Sequence, residues 1–406
     1  MLNKNNEREL AYVVLVDGIE ELPGYDRVES AIIGGWRCIV PKGQFKPGDP
    51  GIYFEIDSKV PSDNPAFAFL EKRNYKIKTQ KMCRSLSQGL LMHAEDFGWE
   101  IILDGTKTPY IYDGEKVHYA DDESRFLTKE LGITYADDED NKRKASSVDK
   151  YKKMAQRHPN IFKKSWARWM MKRKWGRKLM FFFFGKKKDK KNGWPEWVQK
   201  TDEERVQNMP WILNDEGTWI ATEKIDGSST TFTMKRGKRG KKEFYVCSRN
   251  VCFDSIDKPC YYDTNIYWEM AEKYKMFDVL SNLLNHMPAA EWITIQGETY
   301  GAGVQRRDYS LEGHDFAAFN LITSDKGRWN SCAMRDLLEY GYNVPCVPIV
   351  DTGFKFNGMT VDQLLIKAEG ASNIDGKPRE GLVLRSVDGT KSFKAVSNSF
   401  LLKYHG

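Results

Sequence analysis

The chain has 406 residues, of which 40% are hydrophobic and 13% aromatic, enough for two or three globular domains with cores of their own. Its start, MLNKNNEREL, is polar and charged, and its longest apolar cluster, LMFFFFG at 179–185, is far too short to cross a bilayer, so the expectation is an intracellular protein that is neither secreted nor membrane-bound. The net charge of +6 hides an asymmetry: residues 141–200 carry 21 Lys and Arg against 3 Asp and Glu, about +18 in one segment against about −12 elsewhere. Such a block predicts a polyanion partner, nucleic acid ahead of a membrane surface.

Residues 1–105 read as a small β-barrel domain of OB type. AYVVLV and WRCIV are short apolar strands, and PKGQFKPGDPGIYFEI is a turn, a Pro-Gly loop and an alternating strand. Residues 106–193 read as a charged connector, acidic first (DDESRFLTKELGITYADDED) and then basic. Within it Trp166, Trp169, Met170 and Arg173 recur at helical spacing, which predicts an amphipathic helix with its aromatic stripe packed on a domain; the lysine run 186–191 reads as a solvated loop.

Residues 194–406 mix strands (EFYVCSR, WITIQGETYG, FAAFNLI, GLVLRS, TKSFKAV) with helices over 266–286, 334–344 and 359–370, which gives an α+β domain dominated by antiparallel sheet. No GxxxxGK[ST] phosphate loop is present. The seven cysteines are scattered; Cys247, Cys252 and Cys260 form the one cluster, with no His at zinc spacing, so free thiols are expected.

The chemistry lies in an ordered series of strand-end motifs. EKIDGSS (223–229) places Lys224 between an acid and an Asp-Gly turn. VCSRN (246–250), IQGETYGAGV (295–304), DFAAFNLI (315–322), REGLVLRS (379–386) and SFKAVSNSFLLKY (392–404) follow. Together they supply an amine, carboxylates, an arginine, aromatics and further lysines. That inventory suits nucleotidyl transfer. A lysine nucleophile has an ordinary pKa of about 10.4 and needs a neighbouring cation or desolvation to lose its proton, and a divalent ion held by carboxylates provides the cation.

In this order the six stretches resemble motifs I, Ia, III, IIIa, IV and V of the covalent nucleotidyltransferases, the ligases and mRNA capping enzymes. TEKIDGSS, GETYGAGVQ and SFKAVSN…LLK are similar to RNA ligases. WPEWVQKTDEERVQN (194–208), together with the N-terminal segments GWRCIVPKGQFKPGDPGIYFEIDSKVP and IKTQKMCRSLSQGLL, resembles the fifth RNA ligase family. The resemblance implies an OB domain followed by an antiparallel-sheet, ATP-grasp-like nucleotidyltransferase domain. It also implies an ATP-dependent RNA ligase using Mg²⁺ or Mn²⁺, acting as a monomer on nicked duplexes or broken RNA ends without a membrane. Replicative-type ligases and capping enzymes carry an OB domain behind the last motif, and Gly406 follows Lys403 too closely for one here.

The residue roles that the resemblance implies are as follows. Lys224 is the nucleophile forming lysyl-AMP, and Asp226, Glu298 and Glu380 serve a metal. Glu223 contacts the adenine edge. Arg249 holds the ribose and then the RNA 5′-phosphate end, Glu298 also reaches a ribose hydroxyl, and Phe316 or Phe319 stacks on adenine. Lys394 meets the α-phosphate, with Lys403 or Lys391 as a second lysine because the segment lacks a plain KxK. Gly227 supplies a tight turn, and Lys42, Lys46, Lys78, Lys81 and Arg84 are RNA-backbone contacts on the OB domain. The competing readings are a DNA ligase or capping guanylyltransferase, and a non-catalytic RNA-binding protein on the same scaffold.

Overall fold

The computed structural model of the protein describes all residues except 4–6, 104–108, 113–116, 120–125, 136–160, 162–163, 174, 177–178, 181–193, 254, 259, 263 and 406. The lysine run 186–191 therefore lies outside the described residues. None of the seven cysteines is in a disulfide, and among the described residues no helix is long and apolar enough to cross a membrane.

The first unit is built from β1 (Ala11–Leu15), β2 (Gly18–Glu21), β3 (Val28–Ile33), β4 (Trp36–Pro41), β5 (Pro50–Phe54), β6 (Ser58–Lys59), β7 (Gln80–Met82), β8 (Ser85–Ser87) and β9 (Leu90–Met92). β1, β5 and β9 form one antiparallel sheet and β2, β3 and β4 another, with β7–β8 as a separate hairpin. WRCIV alternates in burial, Trp36, Cys38 and Val40 inward and Arg37 and Ile39 half-exposed, as a strand with one wet face must. The β7–β8 turn is made by Cys83 and Arg84, both left-handed (φ 51° and 61°), the conformation that a two-residue hairpin demands.

Within the stretch 106–193, Phe126 bridges Tyr12, β13 (Thr134–Tyr135) pairs with β6, and Leu127, Leu131 and Ile133 are buried in the core of the first unit. Ahead of them, β10 (Glu100–Leu103), β11 (Pro109–Tyr112) and β12 (Val117–Tyr119) form a small antiparallel sheet.

The larger unit has two antiparallel sheets. The six-stranded one, in order β17-β16-β15-β18-β19-β20, comprises β15 (Ser228–Arg236), β16 (Lys242–Cys247), β17 (Cys252–Phe253), β18 (Trp292–Gly301), β19 (His314–Thr323) and β20 (Gly327–Arg328). The four-stranded one, in order β21-β14-β22-β23, comprises β14 (Trp219–Lys224), β21 (Ile349–Phe354), β22 (Gly381–Ser386) and β23 (Ser392–Val396). The expected helix over 266–286 is two helices, Ile266–Lys273 and Met276–His286, broken where Lys275 turns left-handed (φ 49°). Both helices bury one face on the larger sheet, with Met270, Leu280 and Leu284 fully buried. Val361–Ala368 caps the smaller sheet; it starts in a capping box in which Thr360 and Gln363 each accept a backbone N–H from the other. Beneath it Trp219 is fully buried against Phe356 and Phe393.

The two units are locked together through polar groups that have lost their water. Asn208 Oδ1 accepts from Tyr12 Oη (3.2 Å) and Trp36 Nε1 (2.5 Å), while its Nδ2 donates to Glu55 (2.8 Å) and Glu204 (2.7 Å). Glu55 is fully buried. Burial alone would raise its carboxyl, but the Met1 ammonium and Arg8 hold it well below the usual carboxylate range. Arg205 pairs with Asp57 (3.1 Å), and Gly35 sits so close to Gln207 that a Cβ there would stand 2.6 Å from its Cα. Removing one partner from a buried network leaves the others unsatisfied, at about 1–3 kcal/mol for each stranded group. Asn208→Ala is therefore expected to destabilise the protein by at least about 2 kcal/mol, read as a lower denaturant midpoint. A midpoint equal to wild type contradicts this reading of the interface.

Candidate active site

β14 ends at Lys224, and the chain then crosses from the four-stranded to the six-stranded sheet through Ile225, Asp226 and Gly227 before β15 begins. The lysine's place is set by register. Lys224 is opposite Gly381 on β22, so Glu380, one residue earlier, lies beside it, and Nζ donates to Glu380 Oε1 at 2.6 Å. On the other sheet Glu298 of β18 pairs with Ser229 of β15, just past the crossing turn. Gly227 is needed for close approach, not for a left-handed turn: a Cβ there would come within 2.4 Å of the Thr299 carbonyl oxygen and 2.8 Å of Glu298 Cγ. The turn is braced from behind by Tyr309, whose Oη accepts the Asp226 backbone N–H (2.6 Å) and whose ring lies 4.0 Å from the Arg307 guanidinium.

This junction opens into a cavity of about 820 Å³ lined by Glu223, Lys224, Asp226, Arg249, Glu298, Phe319, Glu380 and Lys394 among others. Its electrostatics are dominated by one amine among three carboxylates. Burial would push the Lys224 amine down, but Glu380, Glu298 and Asp226 outweigh it and raise it above the ordinary lysine value. Burial, with Glu380 and Asp226 as like charges, pushes Glu298 up to about 8 against the pull of Lys224. Burial also raises Glu223, whose Oε2 accepts from the Asn373 backbone N–H (2.8 Å). Glu380 Oε2 is buried without a hydrogen-bond partner.

Those features fit a divalent cation: a buried orphan oxygen, a carboxyl that cannot hold its charge alone, and hard oxygen donors. Among the described residues no three such side chains already converge as a closed metal cage. The cation would therefore be shared with phosphates and water, the usual arrangement for Mg²⁺.

Across the cavity, Lys394 of β23 donates to Asp202 Oδ1 (2.8 Å) and Arg249 donates to Asp202 Oδ2 (2.7 Å). Burial lowers Lys394 to about 8, helped by Arg8, Arg205 and Lys224 and opposed by Asp202. Asp202 itself would be raised by burial but is held far below its usual range by Lys394, Arg8 and Arg249. Asp202 has no place in the motif reading. The signal was the run Asp202-Glu203-Glu204, in which each acid finds a different partner: Glu203 takes Arg385 and Ser392, and Glu204 takes Asn208. Arg8 and Tyr135 also reach the cavity wall, the Tyr135 ring lying 5.7 Å from Arg249.

Several expected residues are elsewhere. Phe316 is fully buried in the core against Phe232, so it cannot stack on a base; Phe319 lines the cavity, with Arg385 5.8 Å from its ring. Lys391 is exposed and paired with Asp215 (2.5 Å), because three residues along a strand lead to the other face. Lys403 is exposed on the turn of helix after β23, over the Tyr404 ring. The position that does face the cavity with Lys394 is Val396.

On the OB unit, Lys42 is exposed but paired with Glu21 (3.1 Å); Lys46, Lys81 and Arg84 are exposed and Lys78 half-buried. The helix in the basic block is Ser165–Met171, and its indoles do not supply the buried contacts: Trp166 and Trp169 are half-exposed, while Ala167, Met170 and Met171 form the packed face.

Residues 217–405 match the RNA ligase family model, and residues 10–94 match an OB-fold domain. No curated protein matches the sequence. Among solved structures, the chain is similar to a mutant of Naegleria gruberi RNA ligase with ATP and Mn (26% identity, 98% of this chain and all of that chain covered, TM-score 0.69). It is likewise similar to the N. gruberi RNA ligase with PPi and to a mutant of it with AMP and Mn (each 27% identity, 98% and 99% of the two chains covered, TM-score 0.68).

A carboxyl whose folded pKa stands above its unfolded value opposes folding increasingly as pH rises between the two, here from 4.5 to about 8. Glu298→Gln is expected to raise the thermal midpoint of the nucleotide- and metal-free protein, more at pH 8 than at pH 5. A loss at both pH values contradicts the charge balance described.

Proposed function

We infer that this chain, an RNA ligase domain carried behind an N-terminal OB-fold domain, is an ATP-dependent RNA ligase that joins 3′-hydroxyl and 5′-phosphate ends by way of lysyl-AMP and 5′-adenylated RNA. The observation that carries the assignment of roles is the Lys224 amine, held 2.6 Å from Glu380 in a cavity shared with Glu298, Asp226, Arg249 and Lys394.

Lys224 attacks the α-phosphorus of ATP and pyrophosphate leaves. The AMP passes to a 5′-phosphate; a 3′-hydroxyl then attacks that end and AMP is released. The difficulty lies in the first step, because three carboxylates hold the proton on Lys224. A divalent cation shared by Glu298, Glu380 and Asp226 with the phosphates would cancel their field and the phosphate charge. Glu380 Oε1 is the acceptor already in contact with the amine. Lys394 meets the α-phosphate as it gains negative charge. With Val396 where a second lysine would face the nucleotide, Arg249 is the best placed additional cation. Phe319 offers the apolar face for adenine, and Glu223 the polar edge beside it. Asp202 holds Lys394 and Arg249 in position and yields them to the phosphates. Lys46, Lys81 and Arg84 reach RNA backbone from the OB surface. The substrate is a nick with an RNA 3′-hydroxyl strand, and because one chain supplies the whole cavity wall, a monomer is the working unit.

Lys224→Ala is expected to abolish labelling by α-labelled ATP, which in wild type exceeds that from GTP, and wild type should seal nicks with an RNA 3′-hydroxyl strand over matched DNA nicks. Labelling of the variant, or preference for GTP or DNA, contradicts the assignment. Lys394 must keep its proton to neutralise phosphate, so activity declines above its pKa of about 8. Since Asp202 raises that value, Asp202→Asn should move the alkaline limb of kcat/KM for ATP to lower pH. An unmoved limb would remove Asp202 from this role.

A further inference from the structure

The helix Ser165–Met171 is inside out with respect to residue size. Ala167, Met170 and Met171 pack with Met180 and Ile161, while Trp166 and Trp169 stay 49% and 50% exposed, followed by Trp175 at 55%. One exposed apolar side chain needs no account, but three indoles within ten positions do, since each forgoes the burial that a tryptophan ordinarily contributes. The group is ordered: Trp175 meets Trp169 edge-on (centroids 6.3 Å apart, 83°), and the Arg173 guanidinium lies 3.9 Å from the Trp169 ring. Lys164, Lys172 and Arg173 are exposed around them, within the segment that carries 21 basic against 3 acidic residues.

We propose that Trp166, Trp169 and Trp175 form a stacking platform for unpaired nucleotides of the RNA substrate, with the surrounding Lys and Arg following its phosphates. Indole faces accept any base without sequence preference, but only a base released from its own stack presents a face to them. A fully paired nick offers none; a nick flanked by a single-stranded tract does. Tyr135, which precedes this segment in the chain, lines the cavity beside Arg249, and Thr201, which follows it, lines the cavity too. The proposal rests on the RNA ligase reading and adds to it a substrate class, broken RNA with unpaired residues next to the break.

The test is the full-length triple variant Trp166→Ala/Trp169→Ala/Trp175→Ala, compared with the matching triple Trp→Tyr variant. Expected are unchanged lysyl-AMP formation and thermal midpoint, and roughly 10- to 100-fold weaker binding to a nicked RNA duplex bearing a single-stranded flank. Binding to the fully paired nick should stay within about 2-fold, and the tyrosine variant should restore most of the loss. Equal weakening on both substrates, or none on the flanked one, overturns the proposal; so does unchanged RNA binding with lost binding to phosphatidylserine vesicles, which assigns the indoles to a lipid surface. A wild type that forms no lysyl-AMP would instead sink the ligase reading, and the two failures are distinguishable.

Discussion

One ammonium facing three carboxylates in a wall of protein is the constraint around which the larger unit is arranged. The imbalance is costly in isolation, since burial and the neighbouring Glu380 and Asp226 push the Glu298 carboxyl up to about 8. Sheet geometry keeps the groups together against that cost. Lys224 ends one strand and Glu380 immediately precedes its neighbour in the same sheet, Glu298 comes from a strand of the other, and the crossing turn that joins the sheets carries Asp226. The strand ends converge because Gly227 lets the backbone of the turn press against Thr299. A folded protein that accepts such repulsion is pre-organised for a cation and an anionic substrate, with stability sacrificed at the site that uses it.

The opposite wall repeats the logic with reversed sign. Lys394, Arg249, Arg205 and Arg8 crowd one side, and Asp202, Asp57 and Glu55 hold them apart in pairs. Glu55, Asp57 and Arg8 belong to the N-terminal unit, so the barrel is part of the cavity wall. This accounts for the polarity of the interface, where Asn208 alone bonds Tyr12, Trp36, Glu55 and Glu204. Directional bonds of this kind fix orientation more tightly than apolar contact can, which a composite wall requires.

Most of the fold and half of the site could be read in advance, and the division has a physical basis. Lys224 and Glu380 stand at strand ends and Glu298 and Lys394 within strands, in an ordered series where the sequence pattern itself carries position. Residues whose place depends on which face of a strand turns inward could not be read in the same way. Phe316 and Phe319 are three apart, hence on opposite faces, but only the assembled sheet decides that Phe316 goes to the core. The same parity removes Lys391 from the cavity and brings Val396 into it. Asp202 escaped because its partners lie 47 and 192 residues away, a relation that only folding creates. The exposed indoles ran against the expectation because helical periodicity reports that two faces differ, not which of them meets the protein.

Residues 136–193 lie between two fixed points of the chain, β13 paired with β6 on one side and Trp197, whose indole donates to Thr233, on the other. Closing a longer loop between fixed ends costs only a logarithm of its length. A change in the length of chain between these two anchors would therefore alter the closure cost little, while the contacts that build the cavity stay as they are.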